Sequence, residues 1–377
     1  MDRALTLLVV APGERADARD PGATTRPERS GSRRRVMTRS IPATDADAEL
    51  AARVRSALDA PGAGPMSVLE GGRSGLTYVL RHGDAGVVVK AVPPGRRAIG
   101  RHDVLHQATA LAVLAVRGLP LPRVLARDEA EPAWFAMEFA AGEAVEPVLT
   151  VDTEIDPVLA RTRMLAAARI LGALHAVPTA ELDAAVTALG AAPPVPAGPG
   201  EELARWTRTM RAVPDELRPG SEELLAALAA SVPAAVAPTV VHGDFRLGNL
   251  LFDGTTPTAL VDWEIWGVGD PRGDLAWFGV FTDGRLFPGS GREVAGLPTE
   301  EELGREYRAA RGDDGGTEQD LAWFRAVGRM KMAAIMGHNL VRHRTGAHHD
   351  PVQEQLPPAI AAMIRDARLL LDGGDAG

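Results

Sequence analysis

The amino-acid sequence predicts an α+β protein with a small N-terminal lobe built on an antiparallel sheet and a larger, mostly helical C-terminal lobe. Up to residue 142, short apolar runs alternate with Gly- and Pro-rich turns and two helical segments, a pattern typical of a small antiparallel sheet. Beyond it, long segments with apolar residues three and four positions apart indicate helices. The 377 residues are enough for two lobes, which we place at residues 41–142 and 143–377.

The first 40 residues are rich in Arg and lack hydrophobic periodicity, so we expect a flexible extension at residues 1–40. The composition leaves open whether this tail belongs to the protein or whether translation starts at Met37. Nine Arg against five Asp and Glu give the extension a charge of +4, so the rest of the chain sums to −13. Such an acidic body lacks the basic surface that nucleic acids need, and we expect no nucleic-acid partner.

The sequence also argues that this chain is neither a membrane protein nor a secreted protein. The longest apolar run near its start, residues 4–11, is shorter than the ~18 residues of a membrane span. Cysteine is absent, which excludes disulfides and thiol nucleophiles and fits a reducing compartment. We therefore expect a cytoplasmic protein with no membrane partner.

In the small lobe, a helix is expected from Thr44, with Leu50, Val54 and Leu58 on one face. A second helix is expected at residues 102–117. The strand candidates, separated by Gly- and Pro-containing turns, lie at residues 66–69, 77–81, 87–92, 123–127 and 134–139.

In the large lobe, helical periodicity covers residues 158–177, 201–212 and 220–231 and resumes at about 272, 299, 317 and 355. Three short apolar strands at residues 239–242, 249–252 and 259–263 interrupt the helices. The first two strands enclose a segment that we call the polar loop, residues 242–249.

The polar loop carries the strongest chemical motif, with Asp244 and Asn249 five residues apart. In phosphoryl transfer, such a loop lets a carboxylate face the attacking hydroxyl while an amide oxygen holds Mg²⁺. Asp262 follows thirteen residues later at the end of an apolar strand and offers a second hard oxygen. Together Asn249 and Asp262 predict a two-residue cation site that nucleotide oxygens and water complete.

Two further features suit a nucleotide. Lys90 ends the apolar run 87–89 and is one of only two lysines against 39 arginines; its compact ammonium can reach phosphates. Taken alone, it could equally be a solvated cation at the end of a strand. The glycine-rich segment 71–75 can bring backbone N–H groups to phosphates, although a hairpin also uses glycine.

These segments resemble the aminoglycoside phosphotransferase family, whose fold is like that of protein kinases. The resemblance covers roughly residues 60–345, and its most specific segments are 242–249, 261–264 and 269–275. The tail segment 331–346 looks like the phosphotransferases related to the kinase-like portion of acyl-CoA dehydrogenase fusion proteins. The resemblance implies a bilobal, protein-kinase-like fold and an enzyme that uses ATP and Mg²⁺.

By this resemblance, Asp244 is the catalytic base and Asn249 and Asp262 bind Mg²⁺. The residues implied in ATP binding are Gly72 and Ser74 of the glycine-rich segment, Lys90, and a hinge formed by Glu138, Phe139 and Ala140. The residues implied in supporting the site are Gln107, His242 and Asp274.

One departure from the family leaves two function classes open. In relatives a Glu on the small-lobe helix pairs with the strand lysine, whereas Gln107 stands here. An ATP- and Mg²⁺-dependent phosphotransferase acting on a small-molecule hydroxyl is favoured because Asp244, Asn249 and Asp262 are all present. The alternative is a nucleotide-binding, pseudokinase-like module with little transfer activity.

The helix predicted from Thr317 bears on the chemical nature of the acceptor. Lys331, His338 and Arg342 lie on one face of it and make that face basic. A basic face would repel polycationic aminoglycosides and attract phosphate or carboxylate groups. It therefore favours an anionic or CoA-linked acceptor, unless it is simply a solvated helix face.

If Gln107 faces Lys90, substitutions there should alter ATP affinity. Gln107→Ala should weaken ATP binding because the lysine loses a hydrogen-bond partner, and Gln107→Glu should preserve or improve it. Calorimetric titration with ATP measures both. Wild-type affinity and turnover in both variants would show that Gln107 does not face Lys90.

Overall fold

The computed structural model describes most of the chain, and all structural statements below concern that part. It comprises residues 38–39, 45–69, 76–82, 85–93, 95–98, 100, 103–149, 155–287, 294–312, 320–347 and 349–373. The glycine-rich segment, most of the N-terminal extension and the first residues of the helix predicted from Thr317 lie outside these ranges.

The small lobe is a six-stranded antiparallel sheet with the strand order β1-β2-β3-β4-β6-β5. Its strands are β1 (Thr38–Arg39), β2 (Met66–Leu69), β3 (Leu76–His82), β4 (Ala85–Ala91), β5 (Val124–Asp128) and β6 (Trp134–Glu138). All five predicted strands are present. Thr38 and Arg39 lie within the segment that we predicted to be flexible, but they pair with Leu69 and Val68, because the edge of β2 offers unpaired backbone groups.

Two helices accompany the sheet, as predicted. The first, α1 (Asp45–Ala57), packs Leu50 and Val54 against the sheet. The second, α2 (Val104–Leu114), is capped by Asp103, whose carboxylate accepts the His106 N–H, and continues as a 3₁₀ turn at Ala115–Arg117. Gln107 is buried on α2, which has consequences for the site.

The large lobe contains eight helices and four short strands in the described residues. The helices are α3 (Pro157–His175), α4 (Thr179–Ala188), α5 (Pro199–Arg211), α6 (Ser221–Ala230), α7 (Pro271–Gly279), α8 (Glu300–Arg311), α9 (Leu321–Arg344) and α10 (Pro357–Leu371). The strands are β7 (Thr239–Val241), β8 (Leu250–Asp253), β9 (Thr256–Leu260) and β10 (Gly267–Gly269), paired as β7 with β10 and β8 with β9. The predicted α+β, two-lobed architecture is therefore confirmed.

Two elements of the large lobe were not predicted. In α4 only Leu182 and Val186 are buried, so its apolar periodicity is weak. The strand β10 is a Gly-Val-Gly segment, a composition that disfavours strands, and it forms because its backbone pairs with β7. The pairing of β10 with β7 fixes the start of the polar loop.

The helix α9 is the centre of the large lobe. It is 24 residues long, is buried along most of its length, and packs against α5, α7 and α10. Neither α9 nor any other described helix has the length and apolar character that crossing a membrane requires.

The packing of α3 on α8 yields a stability prediction. A Cβ atom on Gly172 of α3 would lie 2.3 Å from the Tyr307 carbonyl oxygen and 3.0 Å from the Ala310 Cβ. Gly172→Ala should therefore lower the free energy of unfolding by about 1–3 kcal/mol, because the helices must separate. Gly200→Ala, in the first turn of α5 with nothing within 4 Å, is the matched control. Equal urea-unfolding free energies for both variants would contradict this packing.

Candidate active site

A glycine with a left-handed backbone begins the polar loop. Gly243 has φ of +82°, and a Cβ there would lie 2.8 Å from the Ile265 carbonyl oxygen. Only glycine fits this position without strain. The turn that it makes after β7 brings Asp244 to the wall of a cavity of about 390 Å³ between the lobes.

Both carboxylate oxygens of Asp244 accept hydrogen bonds. The indole N–H of Trp277 donates to Oδ1 at 2.9 Å, and the Asn249 amide donates to Oδ2 at 3.0 Å. Arg246 Nε lies 3.6 Å from Oδ2. The carboxylate is thus fixed in one orientation while it lines the cavity. Trp277 was not predicted, although its spacing of three residues from Asp274 on α7 places both on one helix face.

Asp274 anchors the start of the polar loop. Its Oδ1 accepts the Gly243 N–H at 2.9 Å, and its Oδ2 accepts the His242 N–H at 2.6 Å. Burial opposes ionisation of this carboxyl, but the hydrogen bond with His175 and these backbone donors hold its pKa below the ordinary value. Asp274 thus contacts the start of the polar loop, and its role in supporting a catalytic loop stays a prediction.

Two buried histidines complete this support. Burial lowers the pKa of both His175 and His242, so each imidazole is neutral near pH 7. His242 Nε2 lies 3.0 Å from the Val261 carbonyl oxygen, and its Nδ1 accepts the Asp244 N–H at 3.3 Å. His242 therefore connects the polar loop to the end of β9. His175 lies 3.5 Å from Asp274 Oδ2 and 2.9 Å from the Tyr307 hydroxyl.

The far end of the polar loop is held by a buried ion pair that was not predicted. Glu146 Oε2 accepts the Gly248 N–H at 3.0 Å and lies 3.7 Å from Arg246 Nη1. Burial raises the pKa of Glu146 to about 7, against the opposing effect of the Arg246 charge. No local pattern marks Glu146, because its contacts span about a hundred residues of sequence.

The two predicted cation ligands are neighbours. The Val261 N–H donates to the Asn249 carbonyl oxygen at 2.9 Å, which brings Asn249 next to Asp262. The Asn249 amide nitrogen is used by Asp244, so its oxygen is the atom available as a ligand. One amide oxygen and one carboxylate fit Mg²⁺, which also takes phosphate oxygens and water. No cluster of three or more His, Asp or Glu side chains suited to a metal occurs in the described residues.

Lys90 lies beside these ligands. Its Nζ donates to Gln107 Oε1 at 2.9 Å, so Gln107 faces the lysine as the match to the family predicts. The same Nζ lies 3.7 Å from Asp262 Oδ1 and 3.8 Å from Glu264 Oε1. Glu264 belongs to a motif that the sequence singled out, but its proximity to Lys90 was not predicted.

The helix α2 is fixed to the large lobe by an aromatic contact. The His106 and Trp266 rings stack with centroids 4.6 Å apart, and the Trp266 indole N–H donates to the His106 carbonyl oxygen at 2.9 Å. This contact positions α2, and with it Gln107, against Lys90.

The predicted nucleotide-contacting segments are only partly described. Gly72 and Ser74 lie outside the described residues. In the hinge, the Phe139 N–H donates to the Gly86 carbonyl oxygen at 3.1 Å, which keeps the segment against β4. The Glu138 side chain pairs with Arg123 at 2.7 Å on the exposed surface, so the predicted contact of this segment with adenine would use backbone groups.

The three residues predicted to contact the acceptor do not share one environment. Lys331 is buried, donates to the Gly243 carbonyl oxygen at 2.7 Å, and lies 3.9 Å from the centre of the Trp277 ring. Burial lowers its pKa to about 8, although the Glu202 and Asp244 charges oppose this shift. Lys331 lines the cavity, whereas His338 and Arg342 are half-buried further along α9 and are not among its described lining residues. Lys331 is thus a buried cation in the cavity wall and not part of an exposed basic face, and acceptor binding by the three residues stays a prediction.

Comparison with known proteins gives both a family and a fold. Residues 65–312 match the phosphotransferase enzyme family. The chain is 28% identical over 260 residues to acyl-CoA dehydrogenase family member 10 of Mus musculus, covering 65% of this chain and 24% of that protein. It is 31% identical over 190 residues to viomycin phosphotransferase of Streptomyces vinaceus, covering 49% of this chain and 62% of that protein.

In structure, the chain resembles a candidate aminoglycoside phosphotransferase from Ralstonia eutropha JMP134. The TM-score is 0.69 at 23% identity, covering 87% of this chain and 98% of the other, which establishes the fold. The chain spans less than two thirds of either sequence relative named above. The family match covers more than half of the chain and includes the polar loop, Lys90 and Asp262. As the sequence resemblance predicted, this chain belongs to the phosphotransferase enzyme family.

Proposed function

We propose that this protein is an ATP- and Mg²⁺-dependent phosphotransferase that moves the γ-phosphate of ATP to a hydroxyl group of a small molecule, with Asp244 as the base. The observation that carries the proposal is the position of Asp244, on the cavity wall with both oxygens oriented by N–H donors. Family membership supports the reaction class. The absence of cysteine favours action in the cytoplasm.

In this reaction the acceptor oxygen attacks the γ-phosphorus, and the bond from that phosphorus to the β–γ bridging oxygen breaks as ADP leaves. The hydroxyl proton passes to Asp244 acting as a general base. Because Trp277 and Asn249 already orient Asp244, little reorganisation is needed when the acceptor binds. Mg²⁺ held by Asn249 and Asp262 would neutralise charge on the phosphate oxygens.

On the small-lobe side, Lys90 would contact the α- and β-phosphates, and the hinge backbone would contact adenine. The ammonium of Lys90 lies 3.7 Å from Asp262, so one cation and one cation ligand would face the phosphates together. The hydrogen bond from Lys90 to Gln107 argues against the nucleotide-binding module without transfer, because the lysine retains a partner on α2. ATP turnover with a library of metabolites distinguishes the two functions.

For the acceptor, we propose a small molecule that is anionic or CoA-linked. The similarity to acyl-CoA dehydrogenase family member 10 supports this choice, as do Lys331 and Arg205 in the cavity wall. The carboxylates of Glu202, Asp262 and Glu264 line the same cavity and count against a large anion inside it. Arg205 itself pairs with Glu202 at 2.8 Å, so an anionic group on that side would have to share this cation with the carboxylate.

The role of Asp244 can be tested with Asp244→Asn. We expect ATP affinity to stay near the wild-type value and turnover to fall at least about a hundredfold, because the amide cannot accept the proton. Calorimetry measures binding and ADP release measures turnover. Asp183→Asn, an exposed change on α4, is the control. Wild-type turnover in Asp244→Asn would rule out Asp244 as the base.

The cation site can be tested with Asp262→Asn, which suits the left-handed φ of +69° at this position better than alanine does. We expect the enhancement of ATP affinity by Mg²⁺ to fall at least about tenfold, because the carboxylate charge is lost. Titrations with Mg²⁺ and with EDTA measure this enhancement. Asp253→Asn, at the exposed end of β8, should behave as the wild type. An unchanged enhancement in Asp262→Asn would remove Asp262 from the site.

A further inference from the structure

Different residues supply Lys90 with a hydrogen-bond acceptor and with a negative charge, two roles that a single carboxylate usually combines. Gln107 accepts a hydrogen bond from Nζ at 2.9 Å but brings no charge. Two carboxylates lie within ion-pair distance, Asp262 at 3.7 Å and Glu264 at 3.8 Å. The negative charge that faces Lys90 therefore comes from the segment 262–266, which we call the acidic loop, and not from α2.

The two carboxylates differ in what else they can do. Asp262 is 35% exposed, is next to Asn249, and is the proposed cation ligand. Once it binds a cation, its charge is no longer available to the lysine. Glu264 is only 15% exposed and lies on the same side of Lys90. Its charge is thus the one that can stay with Lys90 throughout the reaction.

The acidic loop is held on both sides of Glu264. Before it, the buried Trp263 donates its indole N–H to the Leu260 carbonyl oxygen at 3.0 Å. After it, Trp266 stacks on His106 of α2 at 4.6 Å. These anchors fix the backbone that carries Glu264 relative to both β9 and α2. The carboxylate consequently has a defined place beside Lys90 and close to the helix that carries Gln107.

We propose that Glu264 is a positioning residue for nucleotide binding: it supplies Lys90 with the negative charge that Gln107 lacks. This proposal rests on the proposed function, since it assumes that Lys90 contacts the phosphates of ATP. It makes two predictions that a merely structural role does not. Removing the Glu264 charge should weaken the binding of ATP through Lys90. Placing a carboxylate at position 107 should restore that binding.

The experiment compares Glu264→Gln, Gln107→Glu and the double variant with the wild-type protein. ATP affinity is measured by calorimetry, once with Mg²⁺ and once with EDTA. Glu264→Gln should weaken ATP binding about tenfold under both conditions, because the effect passes through Lys90 and not through the cation. The double variant should recover most of the loss. Glu223→Gln, an exposed change on α6, controls for the loss of one negative charge and should bind as the wild type does.

A second readout uses the chain's two lysines, Lys90 and Lys331. With ¹³C-labelled lysine, the NMR spectrum contains one Cε signal for each. Glu264→Gln should shift the Lys90 signal and leave that of Lys331 in place, and the double variant should return it towards its original position. This readout needs no nucleotide, so it tests the contact even if the proposed function fails.

The outcomes separate the possibilities. A wild-type protein that binds no ATP would overturn the proposed function, and the lysine spectra would then decide the Lys90–Glu264 contact alone. Wild-type ATP affinity and an unmoved Lys90 signal in Glu264→Gln would overturn the positioning role. Weakening only in the presence of Mg²⁺, without rescue by Gln107→Glu, would also overturn it and make Glu264 a cation ligand.

Discussion

The carboxylate of Asp274 is the constraint on which the rest of the site depends. It binds two consecutive backbone N–H groups, those of His242 and Gly243, where Gly243 adopts a left-handed backbone conformation. Without these acceptors, two buried donors would lose their partners, at a cost of about 1–3 kcal/mol each. The orientation of Asp244 follows from this turn, so a residue on α7 determines where the Asp244 carboxylate lies.

At the site, one short segment also contacts both lobes. The acidic loop brings Asp262 beside Asn249, Glu264 beside Lys90 and Trp266 onto α2. Five consecutive residues thereby link Lys90 and α2 of the small lobe to Asn249 of the polar loop in the large lobe. A change in the position of α2 relative to the sheet would therefore alter the positions of Lys90, Asn249 and Asp262 together.

The sequence allowed the local parts of this arrangement to be predicted. Asp244 and Asn249 were identifiable because they stand five positions apart in a polar loop between two apolar strands, and Gln107 because it aligns with the Glu that relatives carry on the small-lobe helix. Trp277, Glu146 and the Lys90–Glu264 pair depend on contacts between distant segments, which no local pattern records. For Lys331, helical spacing grouped it with His338 and Arg342 but could not show that α9 is buried nearly all round.

In the proposed reaction, the hydrogen bond from Trp277 to Asp244 has a consequence for which hydroxyl group of the acceptor receives the phosphate. A carboxylate offers about four lone-pair directions. Trp277 takes one on Oδ1, Asn249 takes one on Oδ2, and Arg246 lies against Oδ2 as well. An incoming hydroxyl would therefore meet the free side of Oδ1, next to the indole ring. In an acceptor with many hydroxyls, the shape of the molecule against that ring would decide which oxygen receives the phosphate, so the tryptophan would govern regiochemistry.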